Sequence, residues 1–230
     1  MNPTNFLQFA ISQGVTAGVP LETIVILLLF PVVATVIATA RHFIGLRGFG
    51  IFTPAVVSVA FLATGLRLGL TLFLGILLIA ILARLLVKRL RLQYMPNMAM
   101  VILVISLGML LIISGGAGSG FAGGVWGASL GLDKLLTVGI FPILLLVLLT
   151  ETFISTQISH GLKQAMTSTV ETLVLATIGY SILSLQITRD WVLVKPELTV
   201  LLTVVVNIFL GRFTGLRLME YWRFRELLRK

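Results

Sequence analysis

The 230-residue sequence contains no cysteine, only eight carboxylates and only two histidines. Without thiols there is no disulfide, no thiolate nucleophile and no Cys metal site. No HExxH or GxSxG motif occurs, so the zinc-protease and serine-hydrolase signatures are missing, and no metal or cofactor is expected. Charge is scarce as well. Charged residues make up 11% of the chain, against roughly 25% in a soluble domain. Apolar residues make up 58%, and the mean hydropathy is +1.11. No Lys or Arg occurs from Met1 to Ala40, so the basic start of a signal peptide is absent. A short uncharged tail carried across by the first helix fits this, as does a piece cut from a longer protein.

What remains is a series of apolar runs with basic residues between them. Seven stretches read as membrane segments: Leu21–Ala40, Ile51–Thr64, Leu68–Val87, Met95–Ser114, Leu135–Thr150, Thr169–Leu185 and Leu198–Leu210. The connections alternate between the two sides of a bilayer. One side then receives Arg41, Arg47, Arg84, Lys88, Arg89, Arg91, Lys163, Arg212, Arg217, Arg223, Arg225, Arg229 and Lys230, which is 13 of the 17 Lys and Arg. The other receives Arg67, Lys134, Arg189 and Lys195. Cytoplasmic loops collect Lys and Arg, so the split predicts a multi-pass protein with its N-terminus outside and its C-terminus in the cytoplasm. The expected fold class is all-α, a single seven-helix membrane domain over residues 1–230. Residues 1–20 form an outer segment, and residues 211–230 an inner basic amphipathic tail on the leaflet surface. The net charge of +9 raises nucleic acid as a partner. The basic residues flank membrane segments, however, so topology and anionic lipid headgroups explain them better. The lipid bilayer is the expected partner and nucleic acid is not; self-association into a homo-oligomer is left open.

The second segment carries the strongest local signal. Gly45, Gly48 and Gly50 fall within six residues, too many for a stable helix. Thr53 and Pro54 then read as an N-cap and a first helical proline. The helix so begun has about 11 residues, or about 16 Å, to Thr64, well short of a hydrocarbon core of about 30 Å. It should enter the membrane as irregular chain and continue as a half-helix, which is tolerated only inside protein or facing a water-filled cavity. A polar stretch over Ser155–Ser168 precedes Thr169, which reads as a second N-cap with Glu171 behind it. The second and sixth helices are thus expected to be interrupted. Phe30-Pro31 with Thr39 matches Phe141-Pro142 with Thr150 at a constant offset of 111. This suggests two parallel three-segment repeats flanking the fourth span, and matching interrupted helices point to a central site. The glycine-rich run over Ser114–Gly131, with Trp126, reads as an outer loop.

Charged and polar groups within an apolar framework are expensive and mark sites. The candidate ligand site comprises Arg41, His42, Phe52, Thr53, Pro54, Glu151, Gln157, Thr169 and Glu171. One reading pairs Arg41 or Arg47 with Glu151 as structural charge compensation. A second makes these groups, with two half-helix N-termini, a site for an anion such as a carboxylate. A third is intramembrane catalysis by Glu151 and Glu171, which nothing in the spacing demands. Gly69, Gly75 and Gly108 read as packing glycines.

The stretch Arg41-His-Phe-Ile-Gly-Leu-Arg-Gly-Phe-Gly-Ile-Phe-Thr-Pro-Ala55, with Gly65–Leu70, the basic turn ending at Pro96, and Phe141-Pro142 to Glu151, resembles a known pattern. It is similar to the bacterial seven-helix membrane domain that is often fused to an inactive transglutaminase-like domain. The resemblance covers the chain from Leu21 on. It implies an extracytoplasmic transglutaminase-like domain, residence in the bacterial cytoplasmic (inner) membrane and a neighbouring cytoplasmic ATP-grasp-type ligase. A more distant similarity is to the small membrane subunit of poly-γ-glutamate capsule synthesis. The implied function is a non-enzymatic membrane subunit acting with the ligase in synthesis, sensing or export of a peptide or poly-amino-acid. A receptor-like module for an extracellular peptide and the intramembrane enzyme are the alternatives. No catalytic residues transfer with the resemblance, and the second interrupted element, Gln157 to Thr169, lacks the proline of the first.

Overall fold

The computed structural model describes residues 6–46, 48–87, 89, 93–116 and 140–212. Among them lie nine α-helices and no strand. They are α1 (Phe6–Thr16), α2 (Leu21–Ile44), α3 (Phe52–Thr64), α4 (Leu66–Val87), α5 (Tyr94–Gly116), α6 (Ile140–His160), α7 (Leu162–Ser184), α8 (Gln186–Val194) and α9 (Pro196–Arg212). Each of the seven predicted segments coincides with a helix. The helices α1 and α8 were not expected. Ser114–Gly116, read as the start of the glycine-rich outer loop, are the last residues of α5. The rest of that loop, the start of the fifth segment and the basic tail beyond Arg212 lie outside the described residues, as do Arg47, Lys88 and Arg91.

The helix ends follow from local chemistry. Glu22 occupies the first turn of α2, and Arg41 and His42 its last turn, each complementing the helix dipole. Gly45 stops the helix at φ 87°, with its N–H donating to the Arg41 carbonyl at 3.0 Å, a left-handed cap that glycine adopts without a Cβ penalty. Pro54 falls at the third position of α3, where its missing N–H forfeits no intrahelical hydrogen bond. The helix begins at Phe52, so Thr53 lies inside the first turn and is not the cap.

The sixth segment requires a larger correction. The polar stretch after Thr150 is helical: α6 continues to His160, and α7 starts at Leu162. The sixth helix is therefore not interrupted: it is continuous over Leu162–Ser184, and the chain breaks only at Gly161 between α6 and α7, at φ 88°. Thr169 is inside α7, its hydroxyl donating to the Ala165 carbonyl at 2.8 Å, and it caps nothing. Serine and threonine in apolar helices satisfy themselves in this way, so polarity there does not signal a break. The two Phe-Pro pairs also differ in setting. Pro31 is in the middle of α2, whereas Pro142 is in the first turn of α6.

The chain divides into two compact units, Met1–Ser58 with Glu171–Lys230, and Val59–Val170. The division falls within α3 and α7. In the first unit α2 packs against α8 and α9, around Leu29, Val33, Ile37 and Leu175. In the second, α4 packs against α5 and α6, around Phe61, Phe73, Ile76, Ile105, Leu146 and Phe153. Gly108 brings α5 close to α4, since a Cβ there would lie 2.8 Å from Ile79.

The outward surface is apolar. On α4, Leu74, Leu78, Leu82, Leu85 and Leu86 are exposed at helical spacing, a stripe suited to lipid. Four helices, α2, α4, α6 and α7, are long and apolar enough to cross a membrane. The α8–α9 pair passes the same test together but is bent by 105°. Gln8 Nε2 donates to the Val194 carbonyl at 2.9 Å, and the Leu7 N–H to Glu197 Oε1 at 3.4 Å. These bonds require the segments before α2 and after α7 to share one side of the bilayer. An even number of crossings must therefore separate them. The four long helices α2, α4, α6 and α7 meet that parity by themselves, and all six helices α2–α7 meet it when the shorter α3 and α5 both cross.

Candidate functional site

The entry into α3 is built by the first unit. Gly48 and Phe49 are buried, and the Phe49 N–H donates to Thr172 Oγ1 on α7 at 2.9 Å. A Cβ on Gly48 would lie 2.9 Å from Thr172 Oγ1 and 3.2 Å from its backbone nitrogen, so only glycine lets the chain approach α7 this closely. Gly50 reverses the path at φ 60°, with its N–H on the Gly48 carbonyl at 2.8 Å. The irregular backbone at Gly48 and Phe49 is thereby sheltered by protein, as the short span demands, while Gly50 and Ile51 stay exposed. Phe52 is exposed, and its ring stands edge-on to Phe30 with centroids 6.2 Å apart. Thr53 is half-buried and Pro54 buried.

Of the other predicted site residues, Arg41 and His42 are half-buried at the end of α2, and Glu171 is half-buried in α7 beside Thr172. These three belong to the same unit as the entry segment. Glu151, Gln157 and Thr169 belong to the second unit. Glu151 is exposed on α6, Thr169 is buried, and Gln157 is half-buried. Thr172, which pins the entry, went unrecognised in the sequence; nothing local distinguishes it from the many threonines of these helices.

The second unit holds the sharper chemical feature. Arg84 Nη1 and Gln157 Oε1 are buried and have no hydrogen-bond partner. Buried polar atoms are nearly always paired, so an unpaired donor and an unpaired acceptor mark unspent binding capacity. Arg84 lies three residues before the end of α4, and Gln157 three residues before the end of α6. These helices pack together. In an alternating seven-span chain they run in the same direction, which puts both residues at one membrane face. Among the described residues no group of three or more His, Asp or Glu is placed to hold a metal ion.

Apolar spans, a lipid-type exterior and helix breaks sheltered by neighbouring helices define a polytopic all-α membrane protein. The chain belongs to the family of seven transmembrane helices usually fused to an inactive transglutaminase, whose model matches residues 4–228. No curated protein and no solved structure matches the chain.

Proposed function

We propose that the chain is a non-enzymatic membrane subunit that handles a peptide or poly-amino-acid together with a cytoplasmic ATP-grasp-type ligase. The orphaned pair Arg84 Nη1 and Gln157 Oε1 carries this reading. A guanidinium is matched by a carboxylate, and an amide oxygen by a peptide N–H, so an acidic peptide segment meets both needs. The charge split among the loops supports an inner-membrane orientation with this face in the cytoplasm, where a ligase delivers its product. The partner class rests on the family resemblance, and the extracytoplasmic transglutaminase-like domain on the usual fusion in this family.

The test is ligand-induced stabilisation of the purified chain by triglutamate. A saturating peptide at about 100 times its Kd adds about 2.7 kcal/mol. Arg84→Met and Gln157→Leu are each expected to abolish that gain. Neither variant should be less stable without peptide, because removing an unpaired buried polar atom costs little and can stabilise. Equal stabilisation of wild type and both variants would remove the reading. Adding peptide to only one side of reconstituted vesicles separates this function from an outward-facing receptor.

The orientation has its own check in a chain free of cysteine. Ser12 and Lys163 are exposed. Ser12→Cys should react with an impermeant maleimide in intact cells, and Lys163→Cys only after permeabilisation. The reverse pattern would invert the topology.

A further inference from the structure

We propose that α8 is a membrane-surface helix whose Ile187, Trp191 and Val194 face is seated in the headgroup boundary of the bilayer, on the side that also holds α1. The inference is independent of the peptide reading.

The geometry begins at Lys195-Pro196. There α9 starts, and α8 is bent from it by 105°, so the two axes are close to perpendicular. Beyond that junction α9 exposes Leu198, Leu201, Leu202 and Val205, an apolar surface suited to lipid in a spanning helix. The start of α9 therefore lies at headgroup depth, and a helix joined to it at this angle runs along the membrane surface.

The face of α8 fits that place. Ile187 is 79% exposed, Trp191 50% and Val194 62%. At 100° per residue they fall within an arc of about 60°. Val192, on another side, is buried against protein. One apolar side of α8 thus meets the fold, and a second meets something outside it. Trp191 identifies that surrounding. Tryptophan concentrates at the membrane interface, where its ring is apolar and its N–H wet. Lys195 Nζ lies 5.3 Å from the Trp191 ring centroid, which places an ammonium beside the aromatic at the depth of lipid phosphates.

The helix is also held in this attitude. Arg189 Nε donates to the Leu183 carbonyl of α7 at 2.7 Å, tying its first half to the preceding span. Gln8 of α1 donates to the Val194 carbonyl at its far end. Exposed Phe6 and Phe9 of α1 add apolar surface to the same side. The two short helices are thus joined to each other on that side.

The chain has three tryptophans, so the Trp126→Phe, Trp222→Phe variant reports on Trp191 alone. It is reconstituted in phosphatidylcholine vesicles carrying bromine either near the headgroup end or near the methyl end of the acyl chains. Headgroup-end bromine is expected to quench Trp191 about twice as strongly as methyl-end bromine, with little quenching by aqueous iodide. Ile187→Asp in this background should cut the lipid quenching and raise the iodide quenching. Strong iodide quenching without lipid quenching in the parent would overturn the proposal by putting the face in water. Protection from both quenchers would overturn it in favour of a protein cover. Stronger methyl-end quenching would overturn it in favour of a span.

Discussion

Replacing Gly179 with leucine is expected to leave no folded protein. Gly179 is buried on α7 where that helix meets both α2 and the middle of α3. A Cβ there would overlap the Ser58 hydroxyl, lie 2.9 Å from Val33 Cγ1 and 3.0 Å from Ser58 Cβ. Neither neighbour can yield. Val33 and Ser58 are fully buried, and the Ser58 hydroxyl is held by its bond to the Pro54 carbonyl at 2.7 Å. Overpacking a tight core costs about 1–3 kcal/mol, occasionally more. Leucine adds three further carbons beyond that Cβ at a three-helix meeting point and exceeds this range. Gly179→Ala should lose about 1–3 kcal/mol in a detergent unfolding titration. Combining it with Ser58→Gly should restore about half or more of that loss, the coupling expected of residues in contact. A Gly179→Leu chain that runs as a monodisperse species and unfolds at the wild-type midpoint would show that the helices do not meet there.

The sites of close packing were only partly legible in the sequence. Gly69 and Gly108 were readable as packing glycines, because a glycine inside an apolar helix has few other uses. Gly179 lies in the same kind of context, but its partners Val33 and Ser58 are far away in sequence. The apolar runs were legible because most of them are bounded by Gly, Pro or charged residues. The break before α3 was legible because Gly45, Gly48 and Gly50 crowd into a short stretch. The break before α7 was misplaced for a physical reason. Ser155, Thr167 and Thr169 look like loop residues, yet hydroxyls at Ser159, Thr167 and Thr169 bond to carbonyls four residues back and leave the helix intact. Only Gly161, with its positive φ, ends it. The short helix α8 was passed over because Arg189, Asp190 and Lys195 resemble a loop, although the spacing of Ile187, Trp191 and Val194 carried its signal.

The candidate site divides along the same line. The entry at Gly45–Pro54 could be anticipated from composition, because three glycines before a proline announce irregular backbone. The acceptor that shelters it could not. The sequence also placed Gln157 in the site without indicating that its oxygen is buried unpaired, and it used Arg84 only as a topology marker. Burial and pairing are properties of the folded helices, and no periodicity reports them.

The acceptor on α7 gives the second large effect. Thr172→Val keeps the shape of the side chain but removes the oxygen that receives the Phe49 N–H at 2.9 Å. That N–H sits in a buried segment with Gly48 packed against the Thr172 backbone, so water cannot replace the lost partner. An unsatisfied buried donor costs about 1–3 kcal/mol, although hydrogen bonds between membrane helices tend to the lower end. A loss of about 1–2 kcal/mol is expected for Thr172→Val. Thr172→Ser retains the oxygen and should lose less than half as much. The location of the effect distinguishes this from a general loss of packing. Amide exchange at Phe49 should accelerate in Thr172→Val and stay slow in Thr172→Ser, while exchange in the middle of α2 is unchanged in both. Equal protection of the Phe49 amide in wild type and Thr172→Val would mean that the entry into α3 is not held by α7, and the sheltered half-helix would lose its anchor.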